Sequence, residues 1–407
     1  MTDRPVTLKR SLSLLLITYY GLGNILGAGI YVLVGKVAGY AGMLVPLSFL
    51  GASLLAALTA FSYAELSSRY PLSAGEAVYL HGAFAIPSLS MVVGILIIFA
   101  GIVSAATIVR GFVGYFQVLV DVPGFLVMVV LVTGLGGLAA WGIVESVRAA
   151  AIITLLEIVG LLLIIGVASP SLSELPARRR EWALPMDPAI WQGIFVGAFL
   201  AFYAFIGFED MVNVAEEVRD PVRNMPRAIL LALGVSTILY FAVGFACVLV
   251  VPPAELARSD APLALVYQRA TGGDPVLISV ISSLAVTNGA LIQIIMCSRV
   301  CYGLSRQGWL PEVLGRIHTV TRTPLIATAL ISAAILIMAL WLPIETLAKA
   351  TSFLILVVFA LINLALWRIK QREPRPVGVF LVSSWVPIAG FAASALFVLY
   401  QFVTELR

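Results

Sequence analysis

The sequence predicts an all-α polytopic membrane protein, and three observations predict it. Hydrophobic residues make up 61% of the 407 and charged residues only 11%, the mean hydropathy is +1.05, and apolar stretches of bilayer length recur along the whole chain. A soluble globular chain carries about 25% charged residues, so this one could not cover its surface with polar groups. The same composition excludes intrinsic disorder. The net charge of +4 comes from 25 basic and 21 acidic residues scattered through loops, without the basic patch a nucleic-acid binder needs. The 34 glycines follow no G-X-Y period, which excludes collagen-like structure.

A spanning helix needs about 20 mostly apolar residues. Eleven stretches qualify: Leu12–Val34, Gly42–Ala64, Ile86–Val109, Pro123–Trp141, Ala149–Ala168, Ile190–Val214, Ala228–Val251, Val276–Leu304, Leu325–Leu342, Ile344–Trp367 and Val377–Phe402. They are too long for barrel strands, which alternate over about ten residues. The apolar core of the first is too long for a cleavable signal peptide, and further spans follow it.

Lysine and arginine set the orientation. With the N-terminus in the cytoplasm, sixteen of the 25 fall on the inner side, among them Arg4, Arg69, Arg148, Arg223, Arg299, Arg368 and Lys370. Lys36, Arg110, the Arg178–Arg180 triplet, Lys349 and Arg407 are among those left outside. The triplet opposes the rule but sits on a longer loop, where the rule is weaker. Two inner connections are polar, and Pro221 and Pro226 in "AEEVRDPVRNMPRAI" are expected to interrupt any helix leaving span six. The other reads "SRQGWLPEVLGRIHTVTRTP".

Two spans are broken in corresponding places. Span one, "ITYYGLGNILGAGIYVLVG", carries Gly27-Ala28-Gly29 about two-thirds of the way along. Span six, "GAFLAFYAFIGFEDMVNVAEEV", has Gly207 at a similar fraction, with acidic residues after it. Span six crosses in the opposite direction to span one, as an inverted repeat of five plus five helices requires. An unwound turn at membrane depth frees backbone groups, tolerable where they line a cavity or bind something. Free amides at a half-helix N-terminus suit a carboxylate, and freed carbonyls suit an ammonium group or cation. The alternative is plain packing, since Gly23 and Gly27 form a GxxxG that lets helices approach closely. No strand precedes these glycines, so they are not a dinucleotide fingerprint.

Carboxylates at membrane depth are costly and usually face a cavity or a partner. Glu157 lies near the middle of span five, and Glu209 and Asp210 follow the break in span six. The competing readings are a structural hydrogen bond for Glu157 and a wet helix end for the other two. Phe202, Tyr203, Phe205 and Phe208 could close over a bound molecule, or simply pack. Cys297 and Cys301, at i and i+4, are read as packing residues. The two histidines, His81 and His318, lie far from them in sequence, and no metal site is expected. With no nucleophile–base pair, metal cluster or phosphate loop, the chain is not expected to be an enzyme.

The stretches "GLGNILGAGIYVLVG", "AFSYAELSSRYPLSAGEAVYL", "AFYAFIGFEDMVNVAEEVRDPVRNMPRAI" and "SRVCYGLSRQGWLPEVLGRIHTVTRTP" together resemble the amino acid–polyamine–organocation superfamily of transporters, including bacterial amino acid permeases. The resemblance implies the leucine-transporter-type fold, with an amino acid held between broken helices one and six. It implies backbone contacts from Ile25, Gly27, Ala28, Gly29 and Ile30. It also implies carbonyls and an aromatic lid from Phe202, Tyr203, Ala204, Phe205 and Ile206, and a gate at Phe208 and Glu209. The chain departs from the family twice. The family usually has twelve spans, and proton-coupled bacterial relatives carry a lysine in span five where alignment puts Glu157.

The expected organisation is a first five-helix repeat over 1–168, an extracellular connection over 169–189, a second, inverted repeat over 190–368, and an additional C-terminal span over 369–407. The expected function is secondary transport of neutral amino acids across the plasma membrane by alternating access, N-terminus cytoplasmic, in symport with a proton through Glu157. Unpaired in low dielectric, a carboxylate must take either a cation or a proton. Sodium is therefore the alternative ion, with Ser282, Ser283 and Thr287 of span eight as further ligands. No cofactor and no nucleic acid is expected; the partners are the amino acid and the lipid bilayer. An exchanger, a polyamine carrier and a non-transporting membrane sensor remain as alternatives.

Overall fold

In the computed structural model the structure describes residues 8–119, 122–182, 187–259, 261–341 and 344–405. Arg4 and Arg407 lie outside them, as do the side chains of Ala28, Arg179, Arg180 and Lys349. Among the described residues there is no strand, only a parallel bridge between Leu12 and Val218. The first five spans are α1 (Leu14–Ile25) continued by α2 (Ala28–Ala41), then α3 (Val45–Arg69), α5 (Pro87–Leu119), α6 (Gly124–Trp141) and α7 (Ile143–Ala168). A short helix, α4 (Gly75–Phe84), lies between α3 and α5. The next five are α8 (Pro188–Tyr203) continued by a 3₁₀ segment (Glu209–Glu217), then α9 (Pro221–Val250), α12 (Val276–Arg306), α13 (Leu325–Trp341) and α14 (Ile344–Arg372). The short helices α10 (Pro253–Arg258) and α11 (Pro262–Thr271) cap the α9–α12 connection, and α15 (Trp385–Glu405) is the eleventh span.

All eleven predicted spans therefore correspond to helices, and both predicted breaks are present. The helices outrun the apolar stretches because charged ends find partners. α3 continues past Ala64 to Arg69, and Glu65 there accepts from Arg69 Nε at 2.9 Å and from Lys370 Nζ at 2.8 Å. The Val382 amide also donates to Glu65, at 2.8 Å, so one buried carboxylate ties α3 to α14 and to the connection leading into α15. A carboxylate so fully provided with donors tolerates burial.

Pro226 overturns one expectation. It does not interrupt a helix but lies inside α9, while Pro221 occupies the first turn of the same helix. Proline removes the donor that would pair with the carbonyl four residues back. That carbonyl, of Val222, instead accepts from Ser68 Oγ on α3 at 2.8 Å, so the helix continues without an orphaned acceptor.

Helices at corresponding places in the two halves pack on each other, α3 along α9 and α5 along α12. α1 and α2 lie in the middle of the bundle, α1 against α7, α9 and α12, and α2 against α8. α12 is the most enclosed of the long helices, and its polar residues can only be satisfied from within.

Candidate functional site

Span one opens where α1 ends at Ile25 and α2 begins at Ala28, with Gly27 as the N-terminal cap residue and no side chain capping it. The break therefore falls at Leu26–Gly27, slightly earlier than the Gly27–Gly29 run suggests. The first amides of α2 have no intrahelical acceptor. In span six the helix ends at Tyr203 and a turn leads to the 3₁₀ segment. Gly207 lies in that turn at φ +132°, a conformation L side chains rarely adopt. A Cβ there would also come within 2.8 Å of Asn24 Nδ2.

The two breaks touch. A Cβ on Gly29 would lie 2.7 Å from Ala204 Cα, so Gly29 is small because span six presses against it. Gly27 is not crowded in this way: its nearest neighbours, including the Ala285 carbonyl of α12, would be 3.8 Å from a Cβ. The Tyr240 hydroxyl on α9 reaches the Ile25 carbonyl of the first break and, at 3.1 Å, the Ala204 carbonyl of the second. One phenol proton serves two acceptors, so one of these freed carbonyls is always left for another donor.

The side chains implied for the site divide into two groups. Phe205 stands edge-on to Tyr240 with ring centroids 5.0 Å apart, beside the junction of the breaks, and Ile25 and Ile30 are buried with it. Tyr203 and Ile206 are half-buried. Phe202 turns instead toward α14 and α15, against Phe359 and Phe397. Phe208 packs on Tyr63 of α3 and Phe359 of α14 at 5.7 and 5.5 Å. The Ala28 backbone opens α2, while its side chain lies outside the described residues.

Below the junction runs a polar network that connects three elements. Asp210 Oδ2 accepts from Asn24 Nδ2 at 2.5 Å and from Gln293 Nε2 of α12 at 2.7 Å. Asn24 also donates to the Gly207 carbonyl at 3.0 Å, and the Gly207 amide donates to Glu209 Oε2 at 2.7 Å. Glu209 and Asp210 are thus buried, 1% and 3% exposed, and not at a wet helix end. Further along, Glu217 pairs with Arg299 of α12 at 2.9 Å, both fully buried. The Glu217 carbonyl accepts from the amides of Ser11 and Leu12, which pins the chain entering α1 to the end of span six.

Glu157 occupies a different level. Its Oε1 accepts from Asn288 Nδ2 of α12 at 3.1 Å, and its main-chain carbonyl accepts from Tyr31 of α2 at 3.0 Å. Its Oε2 has no hydrogen-bond partner. Thr154, one turn before it, accepts from Asn288 at 3.0 Å and contacts the Tyr19 carbonyl of α1 at 3.2 Å. Tyr31 also borders a small cavity of about 20 Å³ with Ser279 and Ser282, room for roughly one water. Ser282, Ser283 and Thr287 each donate to a carbonyl of their own helix.

Asn24, Tyr240, Asn288 and Gln293 were not singled out in the sequence. The available signal was an uncharged polar side chain inside an apolar run, which is costly at membrane depth for the same reason as a carboxylate.

A helical bundle of eleven spans, with two interrupted helices crossing at its centre, defines a polytopic membrane protein of the leucine-transporter type. A solved structure, that of MhsT in complex with L-phenylalanine, matches it with a TM-score of 0.66 at 14% identity, covering 98% of this chain and 99% of that one. A family model described as amino acid permease matches residues 12–405, and the chain belongs to that family. It is 31% identical to the branched-chain amino acid permease BcaP of Bacillus subtilis, over 92% of this chain and 83% of that protein. The methylthioribose transporter of the same organism is 28% identical, over 97% and 88%. The Arabidopsis thaliana cationic amino acid transporter 3, mitochondrial, is 28% identical over 87% of this chain and 61% of its own length.

Proposed function

We propose that this chain is a secondary transporter that carries a neutral amino acid across the plasma membrane by alternating access, with its N-terminus in the cytoplasm and a proton as the coupled ion. The observation that carries this reading is the contact between the two breaks, where the open amides of α2 and the carbonyls of Ile25 and Ala204 converge. Amides at a helix N-terminus attract a carboxylate, and carbonyls attract an ammonium group. An α-amino acid carries both groups on neighbouring atoms. A polyamine has no carboxylate and would leave the amides unused.

Glu157 supports the proton over sodium. Sodium needs several oxygen ligands, and the side-chain partner of the Glu157 carboxyl is an amide donor, Asn288 Nδ2, rather than a hydroxyl of α12. One Glu157 oxygen has no partner at all, which a proton resolves and a charged, unpaired carboxylate does not. The ten helices that hold both breaks support the transport reading.

Thermal-shift screening of the purified protein against the standard amino acids and methylthioribose tests the substrate class, since a ligand of the folded state raises its apparent stability. Stabilisation by branched or other neutral amino acids, followed by their flux into proteoliposomes, is the expected result. Stabilisation only by arginine, lysine or a polyamine contradicts it. Specific binding without flux leaves a sensor on a transporter fold.

A further inference from the structure

A second carboxyl group stands without a partner, at the inner end of the bundle and away from Glu157. Glu76 lies in the first turn of α4, outside the spanning helices, yet it is 1% exposed. Neither of its oxygens has a hydrogen-bond partner. Around it the Tyr63 and Tyr79 hydroxyls and Asn213 Nδ2 are also buried without partners. Tyr63 and Asn213 aim their donors at the carboxyl without reaching full hydrogen-bond geometry. The Gly75 amide donates to Asn213 Oδ1 at 3.0 Å, so α4 and the 3₁₀ segment are fastened together at this point. The turn before α4 lies so close to α12 that a Cβ on Gly303 would be 2.6 Å from Ala74 Cβ.

The charges around Glu76 are of its own sign. From the 3₁₀ segment, Glu209 and Asp210 lie nearest, and Glu216 accepts from the Ser73 amide. The cations of the region are committed elsewhere. Arg299 pairs with Glu217, Arg69 and Lys370 with Glu65, and Arg368 of α14 donates to the Ala83 carbonyl. His81, on α4 itself, lies against Trp309, and α5 carries no ionisable side chain before Arg110. No ion pair among the described residues includes Glu76. Nor do three or more His, Cys, Asp or Glu among them converge as metal ligands. A proton is the one ligand that lets this carboxyl both donate and accept within its cage.

We propose that Glu76 is a proton-binding site of the inner face, distinct from Glu157: it holds a proton while the Glu209–Glu217 segment is packed over it, and releases that proton to water when the segment moves away. The release half rests on the transport reading, because only alternating access requires the segment to move; the binding half does not. Burial and the Asp210 charge push Glu76 up to about 8. An acid whose folded value is raised stabilises the fold most below its unfolded value, and that stability is lost as pH rises through the folded one. The window therefore runs from the ordinary glutamate range up to about pH 8.

The test uses the full chain in nanodiscs, with pH itself as the probe. Infrared difference spectra of the parent, Glu76→Gln and Glu157→Gln should show a protonated-carboxyl band that disappears as pH rises through about 8. The component that titrates near 8 should be missing in Glu76→Gln and present in Glu157→Gln, while the Glu157 carboxyl leaves its own component in Glu76→Gln. Parent thermal stability should fall over the same window, while Glu76→Gln, a mimic of the protonated acid, should hold a flatter profile. Tyr63→Phe removes a donor that favours the charged form, so the midpoint should move upward; this serves if Glu76→Gln fails to fold. A component titrating near 8 that persists in Glu76→Gln, or vanishes only in Glu157→Gln, overturns the proposal. A midpoint that shifts with sodium concentration also overturns it. A band that titrates as expected in a protein without flux upholds the binding site and removes the release half together with the transport reading.

Discussion

The two interrupted spans solve the same problem with different materials. Span one breaks over two residues, Leu26 and Gly27, between two regular α-helices, with the Tyr240 hydroxyl on the Ile25 carbonyl as side-chain support. Span six breaks over a longer turn and does not recover an α-helix; it continues as a 3₁₀ segment carrying Glu209, Asp210, Asn213, Glu216 and Glu217. Every one of those side chains except Glu216 is buried. A 3₁₀ segment has poorer hydrogen-bond geometry than an α-helix, so side chains of α1 and α12 and the Gly75 amide of α4 hold it in place. The first break leaves the amides that open α2 without a side-chain cap. The second is a segment anchored through carboxyl groups, and in the proposed function it is the piece that moves.

If the segment is held mainly by those anchors, cutting the strongest should have the largest effect. Arg299→Ala leaves Glu217 buried and unpaired, which should cost about 3–5 kcal/mol. Chemical denaturation should read it, and Arg299→Met combined with Glu217→Leu should recover most of the loss. Asp210→Ala removes the acceptor for Asn24 and Gln293 and should cost about 2–3 kcal/mol. Asp210→Asn keeps the size but not the charge, and should fall between that variant and the parent.

For span one the contrast is between two glycines two residues apart, Gly27 and Gly29. Gly29→Val drives a side chain into Ala204, and overpacking of this kind costs about 1–3 kcal/mol. Its loss of binding would therefore report packing as well as the site. Gly27→Ala meets nothing closer than 3.8 Å and should leave stability nearly unchanged while weakening the bound carboxylate. Equal loss of stability in both variants would erase the distinction. The smallest effect is expected for Tyr240→Phe, about 1 kcal/mol. There the interest lies in rate, because the hydroxyl reaches a carbonyl of each break.

Much of the architecture was legible because the bilayer imposes it. Apolar length gave the spans, and parity together with Gly27 and Gly207 gave the crossing of two broken helices. What could not be read were contacts between residues far apart in the chain. Nothing local to Gly29 says that Ala204 lies against it, and nothing local to Pro226 says that Ser68 will take the carbonyl it leaves free. The aromatic run of span six looked like one lid. Helix geometry sends Phe205 to the junction and Phe202 to α14 and α15, which spacing alone cannot reveal once the helix is interrupted. Attention to carboxylates found Glu157 and Asp210 but missed their amide partners, Asn288, Asn24 and Gln293.

The most direct test of the account is substrate uptake into proteoliposomes, driven separately by an imposed pH gradient and by a sodium gradient, in the parent and in Glu157→Gln. Acid-outside drive should stimulate accumulation by the parent and fail in the variant, with exchange of substrate surviving and sodium without effect. Accumulation by Glu157→Gln under a pH gradient, or parent uptake driven by sodium alone, would contradict it.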